Sequence, residues 1–129
     1  MRKGILATMV VLLALPGLGL AGDIDGVWWV PGRGLETVVV IRENAGTVLA
    51  FNLSPAHYEE GSYDILIGQM AGNVCQMTTT SWSGVNASFT ATFISAASAT
   101  VYVNTCEPRS ANDYCTFPPG VSFSLAKIF

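Results

Sequence analysis

Beyond the first two dozen residues the chain alternates in steps of two, and this restricts its fold more than any other feature. Thr47, Leu49, Phe51 and Leu53 alternate with Val48, Ala50 and Asn52. Tyr63, Ile65 and Ile67 alternate with Asp64, Leu66 and Gly68. Phe89, Ala91 and Phe93 alternate with Ser88, Thr90 and Thr92, and Val121, Phe123 and Leu125 with Ser122, Ser124 and Ala126. Successive side chains of a strand point to opposite faces, so this period, with hydroxyls on one face, marks half-buried antiparallel strands. No segment after the N-terminal region keeps the apolar stripe of an amphipathic helix. The implied fold class is all-β. Taking the larger apolar side chains as core, Phe51, Phe89, Phe93 and Phe123 are expected to point inward. Tyr63 and Ile65 are likewise expected in, and Asp64 out.

Turn residues divide the alternation into short pieces. They are Pro31-Gly32, Asn44-Ala45-Gly46, the stretch 54–61, Ala71-Gly72-Asn73, Ser83-Gly84, Ser95-Ala96-Ala97 and the stretch 107–113. Eight strands are expected between them, over 25–30, 36–43, 46–53, 62–70, 73–81, 87–94, 98–105 and 120–128. The tight E-N-A-G connection predicts a hairpin. Short strands joined by short loops predict an antiparallel meander. Eight strands suffice to close a small up-and-down barrel without exposed edges. A two-sheet β-sandwich also satisfies the pattern.

The N-terminal region reads differently. Arg2 and Lys3 precede an apolar run from Ile5 to Leu15, followed by the small residues Gly17, Gly19, Ala21 and Gly22. This is the layout of a secretory signal peptide spanning residues 1–21. A membrane span needs roughly 20 apolar residues, and Pro16 interrupts this shorter run. Removal of residues 1–21 from the 129-residue chain leaves 108, enough for one domain over 22–129. That mature chain carries nine acidic and four basic side chains, a net charge of −5. With no basic cluster, it is a poor match to nucleic acid or to an anionic membrane surface. The expected location is secreted or periplasmic.

Such a compartment is oxidising, and three cysteines remain. Cys106 and Cys115 are the expected disulfide, because the eight residues between them, E-P-R-S-A-N-D-Y, read as a loop joining two strands. Closing so short a loop contributes roughly 2.5–3 kcal/mol in the chain-entropy model. Cys75 is the odd cysteine, either buried or the partner of one of the other two. The single histidine, His57, is distant in sequence from the cysteines, so no metal site and no cofactor are expected.

Trp28 and Trp29 stand side by side in G-V-W-W-V-P. Gly26-Val27-Trp28 is a G-x-W at the start of the first strand. This resembles the opening of lipocalin and avidin-type barrels, where the Trp packs across one barrel end and a basic residue of the last strand covers it. The resemblance implies that Trp28 and Lys127 close the barrel, with the Lys127 ammonium over the indole. A nearer resemblance spans most of the chain after the signal-like segment. G-V-W-W-V-P-G-R-G-L, E-N-A-G-T-V-L-A-F, T-A-T-F-I-S-A-A-S-A-T-V-Y-V and S-L-A-K-I-F are similar to a group of uncharacterised bacterial secreted β-domains. Those commonly begin G-x-W-W-N-P and end in a K-A-I strand with a final Phe. Here Val30 replaces the usual Asn, and the Cys106–Cys115 loop is additional. That resemblance implies fold and secretion, and no activity.

No catalytic set stands out. His57 lies beside Tyr58, Glu59 and Glu60 in one loop, where neighbours rarely converge, and no Ser or Cys nucleophile sits in a recognisable frame. The expectation is a protein that is not an enzyme. It binds either a small apolar or amphipathic molecule in the barrel mouth, or, with a filled core, another protein through the 54–61 and 107–113 loops as an inhibitor or envelope-associated module. Candidate ligand contacts are Trp29, which faces away from Trp28 in a strand, His57, Tyr58 and Trp82 beside the hydroxyls of 78–81. Asn52-Leu53-Ser54 and Asn86-Ala87-Ser88 match the glycosylation sequon, which matters only in a eukaryotic secretory host. Phe129 gives the chain the aromatic end of an outer-membrane barrel. The expected strands of about eight residues fall short of the roughly 9–11 such a barrel needs, and Lys127 shares the alternating set of Phe129.

Overall fold

Ala45 and Gly46 both take positive φ, 50° and 87°. That is the two-residue hairpin turn whose twist matches its flanking strands, and it fixes the pairing of Asn44 with Thr47. The same chain of local decisions runs through the computed structural model, which describes residues 23–33, 37–53 and 63–129. Eight strands result: β1 Gly26–Trp29, β2 Val38–Asn44, β3 Thr47–Leu53, β4 Tyr63–Ala71, β5 Val74–Thr79, β6 Val85–Ser95, β7 Ser98–Pro108 and β8 Ser122–Lys127. Each pairs antiparallel with the next, and β8 returns to β1, giving a closed meander barrel with no free edge. The expected fold is therefore the one observed, and the sandwich is not. The signal-like segment 1–21 lies outside the described residues.

Closure depends on the C-terminal backbone. Trp28 pairs with Lys127 and Trp29 with Ala126. Beyond β8, the Val27 amide donates to the Phe129 carbonyl at 3.0 Å, and the Ile128 amide donates to the Val27 carbonyl at 2.7 Å. Gly26 makes this approach possible. Its φ is 147°, and a Cβ there would lie 1.9 Å from the Phe129 oxygen.

β6 and β7 reach 11 residues each, longer than the expected 87–94 and 98–105. Their extension pairs Ala87 with Cys106 and Val85 with Pro108. It carries Cys106 beyond the main sheet, to where the chain folds back and forms the Cys106–Cys115 disulfide.

The inward faces correct the sequence reading on two strands. On β6 and β8 the inward residues are those expected: Phe89, Ala91 and Phe93, then Phe123 and Leu125. On β3 they are Val48 and Ala50, while Leu49 is exposed and Phe51 stacks on Tyr63 on the outside at 5.4 Å. On β4 they are Asp64, Leu66 and Gly68, while Ile67 is exposed. Side-chain size explains the inversion. The interior already holds Trp28 and Phe93, both fully buried and in edge-to-face contact at 5.7 Å. A small barrel alternates large and small inward residues, so the strands facing these two rings supply Val, Ala and Gly.

Outside, the two halves differ. β2–β4 present Val40, Phe51 and Ile65 in one cross-strand row. β5–β7 present hydroxyls and amides: Thr90 bonds Gln76 at 2.9 Å and Asn104 at 3.0 Å, and Ser88 meets Thr105 at 2.8 Å. The exterior is thus divided, with hydroxyls and amides over β5–β7 and apolar side chains, Leu49 and Ile67 among them, over β2–β4. No helix among the described residues is long and apolar enough to cross a membrane.

Candidate functional site

One end of the barrel is a floor. Trp28 donates its indole Nε1–H to the Ile24 carbonyl at 2.9 Å. Ile24 is itself inaccessible to solvent, so the segment before β1 folds under the barrel and is held there by the indole. Lys127 lies opposite Trp28 in register. Its Nζ donates to the Asp23 carbonyl at 2.7 Å. The ammonium is thus engaged by the chain that crosses the barrel end. Asp25 fastens the same segment to β2 by accepting the Glu43 amide at 2.6 Å.

The other end is a mouth, and between floor and mouth lies a cavity of about 110 Å³. Its deep wall is apolar, formed by Ile41, Leu66, Met77, Phe93, Val101 and Leu125. Nearer the mouth it is lined by Phe89, Phe123, Phe117 and the two disulfide cysteines. Phe117 stacks on Phe123 at 4.1 Å, and the Arg33 guanidinium lies 5.1 Å from the Phe117 ring centre. The disulfide therefore anchors a flap, 114–117, that forms part of the cavity wall.

Polar groups gather at the mouth. Asn52 on β3 and Asp64 on β4 are directly opposite each other, and both line the cavity. Asp64 Oδ1 accepts the Gly84 amide at 3.0 Å, tying the β5–β6 turn to the rim. Thr37 Oγ1 accepts the Val30 amide at 3.1 Å. The Asn52 Oδ1 atom is buried and has no hydrogen-bond partner among the described residues. An apolar chamber with a few convergent polar atoms at one end is the common form of a small-molecule site.

The candidate ligand contacts from the sequence are not brought together. Trp29 is half-buried on the outer face, opposite in sense to Trp28. Trp82 is 76% exposed in the turn between β5 and β6. Neither lines the cavity. His57 and Tyr58 lie outside the described residues. The residues that do carry polar chemistry there are Asn52 and Asp64, which the alternation of the sequence turns outward. The signal available for them was the small size of their inward neighbours, Ala50 and Gly68. Among the described residues, no three His, Cys, Asp or Glu side chains converge as metal donors.

Cys75 is a free thiol on β5, fully buried against Gly68. Burial pushes its pKa up from 9.0 to about 11. Between those values the unfolded chain has released the thiol proton and the folded chain has not, so the unfolded state binds fewer protons and stability falls as pH rises. From pH 8 to 10.5 this amounts to about 2 kcal/mol. Denaturant titrations of the wild type and Cys75→Ala at both pH values check it. The gap between the two proteins should narrow by that amount at the higher pH, and an unchanged gap would show that Cys75 ionises normally.

Comparison with protein-family models, with curated proteins and with solved structures gives no match. Fold and site together define the class: a closed eight-stranded meander barrel with a floored apolar cavity and a disulfide-anchored flap at its mouth.

Proposed function

We propose that this protein is a non-catalytic binding barrel that holds a small apolar or amphipathic molecule in its mouth, and that it works in a secreted or periplasmic setting. The single observation that carries the reading is the cavity of about 110 Å³ left after Phe89, Phe93 and Phe123 have packed. Protein interiors are close-packed and leave few voids larger than a water molecule. An engineered apolar cavity of about 150 Å³ binds benzene, so the chamber is of the size that takes a single small ring or a short branched chain. The filled-core alternative drew on four phenylalanines, and Phe51 is on the outside. The disulfide and the signal-like N-terminus support an oxidising compartment, and the resemblance to lipocalin and avidin-type barrels supports the binding role.

Toluene is a suitable first probe. In ¹H–¹⁵N spectra it should produce saturable shifts confined to residues around the cavity. Ala91→Leu, which fills the chamber from β6, should abolish them while the rest of the spectrum stays folded. Native mass spectrometry of the protein from its secretory host should also show an extra mass that is lost on denaturation. Absence of binding by toluene and by its amine- and hydroxyl-bearing analogues up to their solubility limits, with a bare polypeptide mass, would sink the reading.

A further inference from the structure

The walls and the rim offer a guest different things, and the difference selects its chemistry. Every deep position is apolar. The rim holds an amide oxygen, Asn52 Oδ1, that is buried and unpartnered among the described residues. Buried carbonyl oxygens nearly always accept a hydrogen bond, and this one belongs to a residue that lines the cavity, where an occupant's donor can supply it. Directly across from Asn52, on the same inward face, is Asp64. Among the described wall residues Asp64 is the one carboxyl group, and no Lys, Arg or His is present. Arg33 brings a cation to this end, but it is exposed and lies over the Phe117 ring instead of in the wall.

From this arrangement we infer that the occupant has a ring-sized apolar body, inserted toward Trp28, and a hydrogen-bond-donating head held at the rim between Asn52 and Asp64. A protonated primary amine is preferred over a hydroxyl, and a carboxylate is rejected. The inference rests on the binding reading above and adds the sign and polarity of the ligand. Two features set the order. An amine or hydroxyl gives Asn52 Oδ1 the donor that it lacks. A positive head is attracted to Asp64, whereas a carboxylate brings a like charge into a site with little water to screen it. An apolar head leaves Asn52 Oδ1 buried without a partner and forfeits the discrimination that such groups confer.

Four probes of one body separate these effects: toluene, benzyl alcohol, benzylamine and benzoate. Their dissociation constants follow from ¹H–¹⁵N titrations at neutral pH and low salt. Benzylamine should bind at least tenfold tighter than toluene, benzyl alcohol between them, and benzoate weakest. Asn52→Leu should reduce benzyl alcohol to the level of toluene while toluene binding stays within a few-fold. Asp64→Asn keeps an acceptor for the Gly84 amide and should bring benzylamine down to the level of benzyl alcohol. Asn52→Thr serves as a second variant, with the amide spectrum of each confirming its fold. Benzoate binding as tightly as benzylamine overturns the inference, as does an order of affinities that neither substitution alters. Toluene bound without any preference among heads overturns this inference alone. Failure of all four probes overturns the binding reading with it.

Discussion

Replacing Trp28 with Ala should destabilise the protein by roughly 4–5 kcal/mol, a large part of the 5–15 kcal/mol that holds a domain of this size folded. Three losses act together. The largest fully buried side chain disappears, and neighbouring strands already carry small residues that cannot collapse into the space. The Ile24 carbonyl loses the indole donor that holds residues 23–25 beneath the barrel. Phe93 loses its edge-to-face partner. Trp28→Phe separates these contributions, because it keeps a ring against Phe93 and removes the hydrogen bond and the outer part of the indole. Roughly 1.5–2.5 kcal/mol is expected for it, the sum of one buried hydrogen bond and a modest volume loss. Urea midpoints for the three proteins provide the test. A loss below 2 kcal/mol for Trp28→Ala would mean that the floor is held by other contacts. Trp28 also supports Phe93, which lines the cavity, so Trp28→Ala should weaken toluene binding even at temperatures where the variant remains folded.

The parts of this protein that could be read from its sequence are those written into the backbone. Strand positions follow from period two and from turn residues. Ala45-Gly46 and Gly72-Asn73 punctuate the chain where the structure turns. The Cys106–Cys115 pairing follows from a loop whose ends must meet. Facing is a different kind of information. On β6 and β8 the outward set is Ser and Thr, so hydrophobicity identifies the inward side. On β3 and β4 both sets are apolar, and the larger one, Leu49, Phe51, Tyr63, Ile65 and Ile67, lies outside. Hydrophobicity alone picks the larger side chains as core, whereas the barrel needs small ones opposite Trp28 and Phe93. The error in register conceals the site, because it turns Asn52 and Asp64 outward on paper. The target of Lys127 was equally illegible, since the Asp23 carbonyl reaches it only through the path of the chain beneath the floor.

Gly26→Ala is the second large effect, and its cause can be isolated. The new methyl would lie 1.9 Å from the Phe129 carbonyl oxygen and 2.6 Å from Lys127 Cε, on a backbone whose φ of 147° suits glycine alone. The backbone strain accounts for about 1–3 kcal/mol. The contact with a backbone oxygen cannot be relieved by rotating a side chain. The C-terminal residues must withdraw, and the bonds between Val27 and residues 128 and 129 go with them. The expected total is roughly 3–5 kcal/mol. A chain ending at Lys127 lacks the obstructing carbonyl, and in that background the same substitution should cost about 1–3 kcal/mol, the backbone strain with the Lys127 side chain moved aside. The difference is a coupling energy of about 2 kcal/mol or more between Gly26 and the C-terminal pair, measurable from four denaturation curves. Equal costs in the two backgrounds would assign the whole effect to strain at Gly26. Residues 128 and 129 would then be bystanders, and closure of the barrel would rest on the pairing of Trp28 with Lys127 and Trp29 with Ala126.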